Sequence, residues 1–428
     1  MKGLKAPYHL WKGLPHWKQT LFLICITQGI TSTGWTFMSP LYPIFIQEEL
    51  GIGDAKEAAF WAGLTSGVFA ISMGLAGPFW GFLADRHGRK PLLIRAYAAG
   101  SLILLLSGLV TNVTQLMGVR VLHGAISGSV GPSMALAASA VPRNRMALAV
   151  GMLQFANFFA ISIGPLIGGQ LANAVGFRTT YFISSAVVAI STLTVTFFVH
   201  ENFQRPQDAR SGISGLFNET RDVLRTKGLL PVLMVLPIIQ GAPVIMQPVV
   251  PGFIQSITQE GNVITGAGLA FALLGMTSGV SAMFIGRFSS RLNLRNVLIF
   301  CCFGASLAFL PQLFVHNYLI FLALFALFGL FSGGMLTAIN AMVGMLIPKR
   351  NLGAAFGVVN SANAMAWGLG PLAGGSLAWS IGHRRVFPVT STMLAVTGAA
   401  VAVIFKGIRA PAIADRRAAT TKTPSGTT

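Results

Sequence analysis

Two residues able to do chemistry stand inside an apolar stretch, in Arg120-Val-Leu-His123-Gly124. Their spacing of three puts both on one face of a helix. An arginine at mid-span costs about 2.5–3.5 kcal/mol on insertion scales, so it has to be explained. A structural alternative is an arginine that caps backbone carbonyls or snorkels to an interface. His123 is able to titrate near neutral pH; a neutral, hydrogen-bonded ring is the alternative. A second cluster, Gly81-Phe-Leu-Ala-Asp85-Arg86-His-Gly88-Arg89-Lys90, sets an acid beside three bases. Such a group can exchange partners when helices move, and its glycines permit tight turns and close approach. A third, Gly164-Pro165-Leu-Ile-Gly168-Gly169, combines a helix kink with small residues that let helices pack closely.

Polar side chains are scattered through the remaining apolar stretches: Gln28, Thr31, Ser32 and Trp35, then Gln154 and Asn157, Gln240 and Gln247, Asn340, and Asn360 and Asn363. Singly, each reads as a hydrogen bond between helices. Together they describe a modestly polar cavity edged with Phe, Trp and Met, suited to lipophilic or mixed-polarity molecules. All eleven acids lie in loops or at span ends. With no carboxylate mid-membrane, the candidates for ion coupling are His123 acting with Arg120, Asp85, or the pair Glu48 and Glu49. Cys25, Cys301 and Cys302 have no histidine at a metal-site spacing and imply no disulfide. No G-x-x-x-x-G-K-[ST] loop is present, so ATP is not the expected energy source.

The elements holding these residues follow from composition. The 428 residues are 53% hydrophobic and 10% charged, far below the charge of a soluble domain. Twelve apolar runs of bilayer-spanning length can be counted. They fall at about residues 19–46, 59–83, 92–110, 115–140, 147–172 and 179–200, then 229–257, 265–288, 296–315, 318–347, 353–379 and 386–405. Lys and Arg account for a net charge of +19 but sit between those runs, unlike the clustered patch of a soluble nucleic-acid binder. With both termini placed inside, the outside retains only Lys56, Arg178, Arg384 and Arg385, and Arg120 falls within a span. That asymmetry predicts cytoplasmic termini and an even number of spans. The N-terminal run is too long for a cleaved signal core, so the first span is expected to remain. Residues 1–18 mix lysines with Tyr8, Trp11 and Trp17, which suits a cytoplasmic segment at an anionic leaflet as well as a plain polar tail. Residues 201–228 read as a cytoplasmic linker, and 408–428 as a disordered cytoplasmic tail.

An internal repeat organises the chain. Residues 141–178 match 347–384 at an offset of 206, pairing Asn157 with Asn363, Gly164-Pro165 with Gly370-Pro371, Gly168-Gly169 with Gly374-Gly375, and Arg178 with Arg384. At an offset of 205, Gly81 and Arg86 pair with Gly286 and Arg291, and Gly124 with Gly329. The expected fold is therefore an all-α integral membrane protein of two pseudosymmetric six-helix bundles, residues 19–200 and 229–407, holding a site at the midplane. Arg120 has Phe325 as its counterpart, and a charge kept in one half only points to function.

Residues 81–90 fill every specified position of G-x-x-x-D-[RK]-x-G-[RK]-[RK], and here the chain resembles the major facilitator superfamily. Gly164 to Gly169 resembles the fifth-span signature of its drug:proton antiporters, with Ala160 in place of a glycine. Arg120 to Gly124 resembles their R-x-x-Q-G, with His123 in place of glutamine. Ser39-Pro40-Leu-Tyr-Pro43 resembles the outer end of their first helix. The resemblance covers about residues 17–407 and is nearest to the bacterial multidrug-exporter branch. It implies alternating access in the inner membrane, with Gly81, Asp85, Arg86, Gly88, Arg89 and Lys90 as a gating loop whose aspartate contacts the start of the eleventh span near Leu352. It also implies export of a drug or a metabolite such as a siderophore in exchange for protons, by a monomer needing no cofactor. The family's mid-membrane carboxylate is missing, which leaves the coupling group open. Uptake of a nutrient by the same fold, and a non-transporting receptor or assembly factor, are the competing readings; neither explains the gating loop and the fifth-span motif together.

Overall fold

Apolar segments in a bilayer must satisfy their own backbone groups, and among the described residues every regular element is a helix. The structure is a computed structural model describing residues 15–126, 128–129, 132–133, 136–137, 140–142, 146–199, 201, 229–258, 263–288, 292–346 and 352–405. Within these, side chains are not described at 77–78, 81–82, 84–87, 146–148, 150–151, 154, 158, 343–346, 352–362 and 364. The segments 1–14, 202–228 and 406–428, including nearly all of the expected linker and tail, lie outside the described residues.

The first half contains α1 (His16–Thr36), α2 (Tyr42–Glu49), α3 (Ala55–His87), α4 (Arg89–Leu109), α5 (Val113–Ile126), α6 (Met146–Val175) and α7 (Phe177–Phe198). The second contains α8 (Leu229–Ile245), α9 (Val250–Ile257), α10 (Val263–Phe288), α11 (Leu294–Phe309), α12 (Tyr318–Leu346), α13 (Leu352–Ile381) and α14 (His383–Ile404). Ten described segments are long and apolar enough to cross a membrane. The helices at the fourth and eleventh positions, α5 and α13, complete the order. The described run of α5 is 14 residues, and α13 is rich in Gly, Ala, Ser and Asn, which lowers its hydropathy.

The first span is two helices. Pro40 and Pro43 interrupt it, and a 3-10 turn at Ser39–Leu41 joins α1 to α2. Pro165 and Pro371 are accommodated inside α6 and α13 without ending either helix. The gating loop departs from expectation. Helix α3 continues through Asp85 to His87, and Gly88 alone, at φ 91°, turns the chain into α4. Only glycine adopts that backbone region at little cost, so the motif is a helix end and a hinge residue, with almost no loop.

Several helix packings of the first half recur in the second. Packing of α4 on α7 recurs as α11 on α14, α1 on α6 as α8 on α13, and α3 on α5 as α10 on α12. Ser185 Oγ donates to the Ser101 carbonyl at 2.8 Å, and Ser391 Oγ to the Ser306 carbonyl at 2.8 Å. Lys90 Nζ donates to the Thr196 carbonyl at 2.9 Å, and Arg295 Nη2 to the Ala402 carbonyl at 2.5 Å. Each cation thereby serves the exposed carbonyls at the end of a neighbouring helix.

The halves meet through α3 against α13 and α6 against α10. A Cβ at Gly63 would lie 3.1 Å from the Pro371 carbonyl carbon, and one at Gly169 would lie 3.1 Å from the Ile264 carbonyl oxygen. Those close approaches lie in the helix halves remote from Gly88. Toward the Gly88 end, the same helices expose Leu75 and Phe79, Phe155 and Phe159, and Val280 and Met283. The described close approaches between the halves thus lie toward the end of the bundle opposite Gly88.

Candidate functional site

Helix α5 carries Arg120 and His123 into the first bundle, where they are 8% and 6% exposed. Arg120 therefore does not snorkel to an interface. Its Nη1 lies 3.3 Å from His123 Nδ1, and its guanidinium carbon sits 3.9 Å above the centre of the Tyr42 ring. A guanidinium has donors only, so Nδ1 must be the acceptor and His123 is neutral in this conformation. The imidazole stacks on Trp35 at 4.2 Å and 14° and lies 4.3 Å from the Phe69 ring. Arg120 Nε and the hydroxyl of Tyr181 are buried without a hydrogen-bond partner among the described residues. The cluster draws on α1, α2, α3, α5 and α7, and a buried guanidinium stabilised by an aromatic face is a cation–π arrangement.

A second polar cluster surrounds Gln28, which is 1% exposed. Its Nε2 donates to Asn157 Oδ1 at 3.2 Å and to Ser32 Oγ at 3.0 Å. Its Oε1 accepts from the Tyr97 hydroxyl at 3.0 Å and from Ser133 Oγ at 2.6 Å. Ser32 Oγ also donates to Asn157 Oδ1 at 2.8 Å. The second half repeats the bridge, with Gln240 Nε2 donating to Asn363 Oδ1 at 3.1 Å. The structure thus unites Gln28 with Asn157 and Gln240 with Asn363, and places Trp35 with Arg120 and His123. Asn340 is exposed on α12 and joins neither cluster. The side chains of Gln154 and Asn360 lie outside the described residues, as do those of Gly81, Asp85 and Arg86.

The remaining part of the gating motif is held by Glu201. Its carboxylate accepts from the backbone N–H of Arg89 at 3.0 Å and of Lys90 at 2.8 Å, an acid satisfying the free donors of a helix N-terminus. At the opposite end, Glu49, one of the candidate coupling pair, pairs with Arg178 at 2.7 Å. The fifth-span motif works as a packing surface. A Cβ at Gly164 would lie 2.9 Å from Thr36 Cβ, and one at Gly168 would press on the Phe37 backbone, while Gly169 faces α10.

Between α1, α6 and α7 runs an apolar groove of about 780 Å³, lined by Phe22, Ile26, Ile30, Met152, Phe155 and Phe159 among others. Sequence reasoning missed Tyr42, Phe69, Tyr97, Ser133 and Glu201. Glu201 carried a signal, as an acid immediately after the sixth apolar run; the aromatic residues carried none.

Geometry of this kind defines a class: a polytopic helical carrier, two bundles packed against each other through α3 with α13 and α6 with α10. A profile of the Major Facilitator Superfamily matches residues 24–266 and 249–426, and the chain belongs to that family. It is 30% identical over 380 residues to the multidrug resistance protein MdtG of Proteus mirabilis, covering 88% of this chain and 94% of the relative. It is 28% identical over 382 residues to the PmrA multidrug efflux pump homolog of Lactococcus lactis, covering 89% and 93%. Among solved structures, the nucleoside transporter NupG (D323A mutant) superposes with a TM-score of 0.73 at 16% identity, covering 90% of this chain and 100% of NupG. A bacterial homolog of the lysosomal transporter Spinster gives 0.72 at 14% identity, covering 91% and 97%. The chain is a multi-pass membrane transporter and not an enzyme.

Proposed function

We propose that this protein exports lipophilic or mixed-polarity small molecules from a bacterial cell across the inner membrane, in exchange for protons, with both termini in the cytoplasm. The transporter works by alternating access. The observation that carries this reading is the lining of the first half. Gln28 and Asn157 stand on α1 and α6, the helices that line the apolar groove of Phe22, Ile26, Ile30, Met152, Phe155 and Phe159, while Arg120 and His123 are buried and do not line it. Such a site offers a few oriented polar contacts and a large apolar area, which suits amphipathic cargo and suits a sugar poorly. The names of the Proteus and Lactococcus relatives support efflux as the direction. Drugs fit this cargo class, and so does an amphipathic metabolite such as a siderophore.

The experiment uses inside-out vesicles, a panel of dyes, antibiotics and siderophores, and an imposed proton gradient. Accumulation above that of vesicles lacking the protein supports export. If no compound accumulates while intact cells import a nutrient, uptake replaces it. Asp85→Asn is expected to abolish accumulation with normal membrane insertion, measured by immunoblot alongside transport; wild-type turnover would remove the gating role of that residue.

A further inference from the structure

We propose that His123 Nδ1 carries the coupling proton and that Arg120 is the positioning residue that sets its two states. The inference rests on proton-driven export and names the group responsible.

In the described conformation Nδ1 accepts from the Arg120 guanidinium at 3.3 Å, so it bears no proton. When a proton binds there, the new N–H faces a donor-only cation. The contact has neither an acceptor nor a compensating charge, and it must break. The titratable or charged groups on the surrounding helices do not offset this. On α1 and α2, Cys25 is buried, Tyr42 lies beneath Arg120, Glu48 is exposed and Glu49 is bound to Arg178. On α3, Glu57 accepts from Trp61 at 3.3 Å near the helix start, and Asp85 is more than ten residues beyond Phe69. On α4, Tyr97 donates to Gln28 and Arg95 stacks on Trp80 at 3.4 Å. On α7, the Tyr181 hydroxyl has no partner among the described residues, and Arg178 is held by Glu49.

The protonated ring remains held between Trp35 and Phe69, whose faces can stabilise an imidazolium. Arg120 must then withdraw, and α5 shifts against α1 and α3. Helix α3 is the one that closes against α13, so the proton changes the balance between the two ways of closing the bundle. The balance per cycle is one proton. An N–H bond forms at Nδ1 while the site faces outward, and it breaks, releasing the proton to the cytoplasmic side, when Arg120 returns. No other co-reactant is needed.

The test follows Trp35, whose fluorescence is quenched when the stacked imidazole becomes a cation. In purified protein, acidification is expected to give a fluorescence step as Nδ1 takes up its proton. It should vanish in both His123→Gln and Trp35→Phe. Glutamine can still accept from Arg120 and cannot titrate. In proteoliposomes, H123Q should lower gradient-driven ethidium accumulation by about tenfold or more while ethidium counterflow falls by less than about threefold. A step that persists in H123Q, no step in wild type, or undiminished accumulation by H123Q overturns the assignment. If wild type accumulates no ethidium, the export reading loses its support, and the fluorescence step still decides whether His123 titrates.

Discussion

The two halves of this transporter share a frame and differ in one pocket. Arg120 and His123 of the first half correspond, at the offset of 205, to Phe325 and Phe328 of the second. Both phenylalanines are fully buried. Phe325 stacks on Phe321 at 5.3 Å and meets Phe271 edge-on at 5.6 Å, while Phe328 stacks on Phe309 at 4.1 Å. Around these pockets the halves agree closely, in the serine pairs, the amide bridges and the arginines at the N-termini of α7 and α14. Arg178 donates to the Gly108 carbonyl at 3.2 Å, and Arg384 to the Val315 carbonyl at 3.0 Å. An apolar plug therefore suffices to pack this position of the bundle. The polar pair costs desolvation that the second half avoids, a cost that the proposed coupling role would explain.

Replacing the pair by the residues of its mate is the strongest challenge to that contrast. Arg120→Phe with His123→Phe is expected to reduce gradient-driven transport to the level of empty vesicles, with expression and thermal unfolding near wild type. Activity in the double variant would make the pair a packing accident.

The repeated glycine positions differ next. Gly164 faces Thr36 so closely that a methyl has no room, whereas a Cβ at Gly370 would lie 3.3 Å from its nearest neighbours, the Gly241 carbonyl oxygen and Val244 Cβ. Gly164→Ala should destabilise by about 1–3 kcal/mol and slow transport, and Gly370→Ala by less than about 1 kcal/mol, both read by thermal unfolding in detergent. Similar losses at the two sites would remove this asymmetry.

The amide bridges follow. Gln28→Leu strands the Tyr97 and Ser133 hydroxyls and should cost about 2 kcal/mol, because buried donors lose their acceptor. Gln240→Leu removes one described bond to Asn363 and should cost about 1 kcal/mol. The smallest effect serves as the control. Ser185→Ala and Ser391→Ala each remove a matched interhelical bond and should cost about 0.6 kcal/mol alike. Unequal losses there would show that the frame itself is asymmetric.

Much of the frame was legible in the sequence because bilayer-length apolar runs, basic breaks and a constant-offset repeat are one-dimensional signals. Arg120 and His123 were legible for the same reason, as charge and imidazole within an apolar run. Their surroundings were not. In a membrane bundle the lipid-facing and bundle-facing sides of a helix are both apolar, so periodicity does not say that Tyr42 lies under Arg120 or that Phe69 meets His123. The break at Ser39–Leu41, which redirects α2, sets the position of Tyr42. Likewise the gating motif reads as a loop by its charges, yet α3 runs through it to His87 and the chain turns only at Gly88. Glu201, which holds the other side of that turn, is distant in sequence from the residues it serves.

The most direct test of the central claim is ethidium accumulation in everted vesicles under a proton gradient, with and without an uncoupler. Accumulation that depends on the protein, collapses with the uncoupler and is lost in the Arg120→Phe, His123→Phe variant is the expected result. Accumulation no greater than in vesicles without the protein, or accumulation that survives collapse of the gradient, would contradict it.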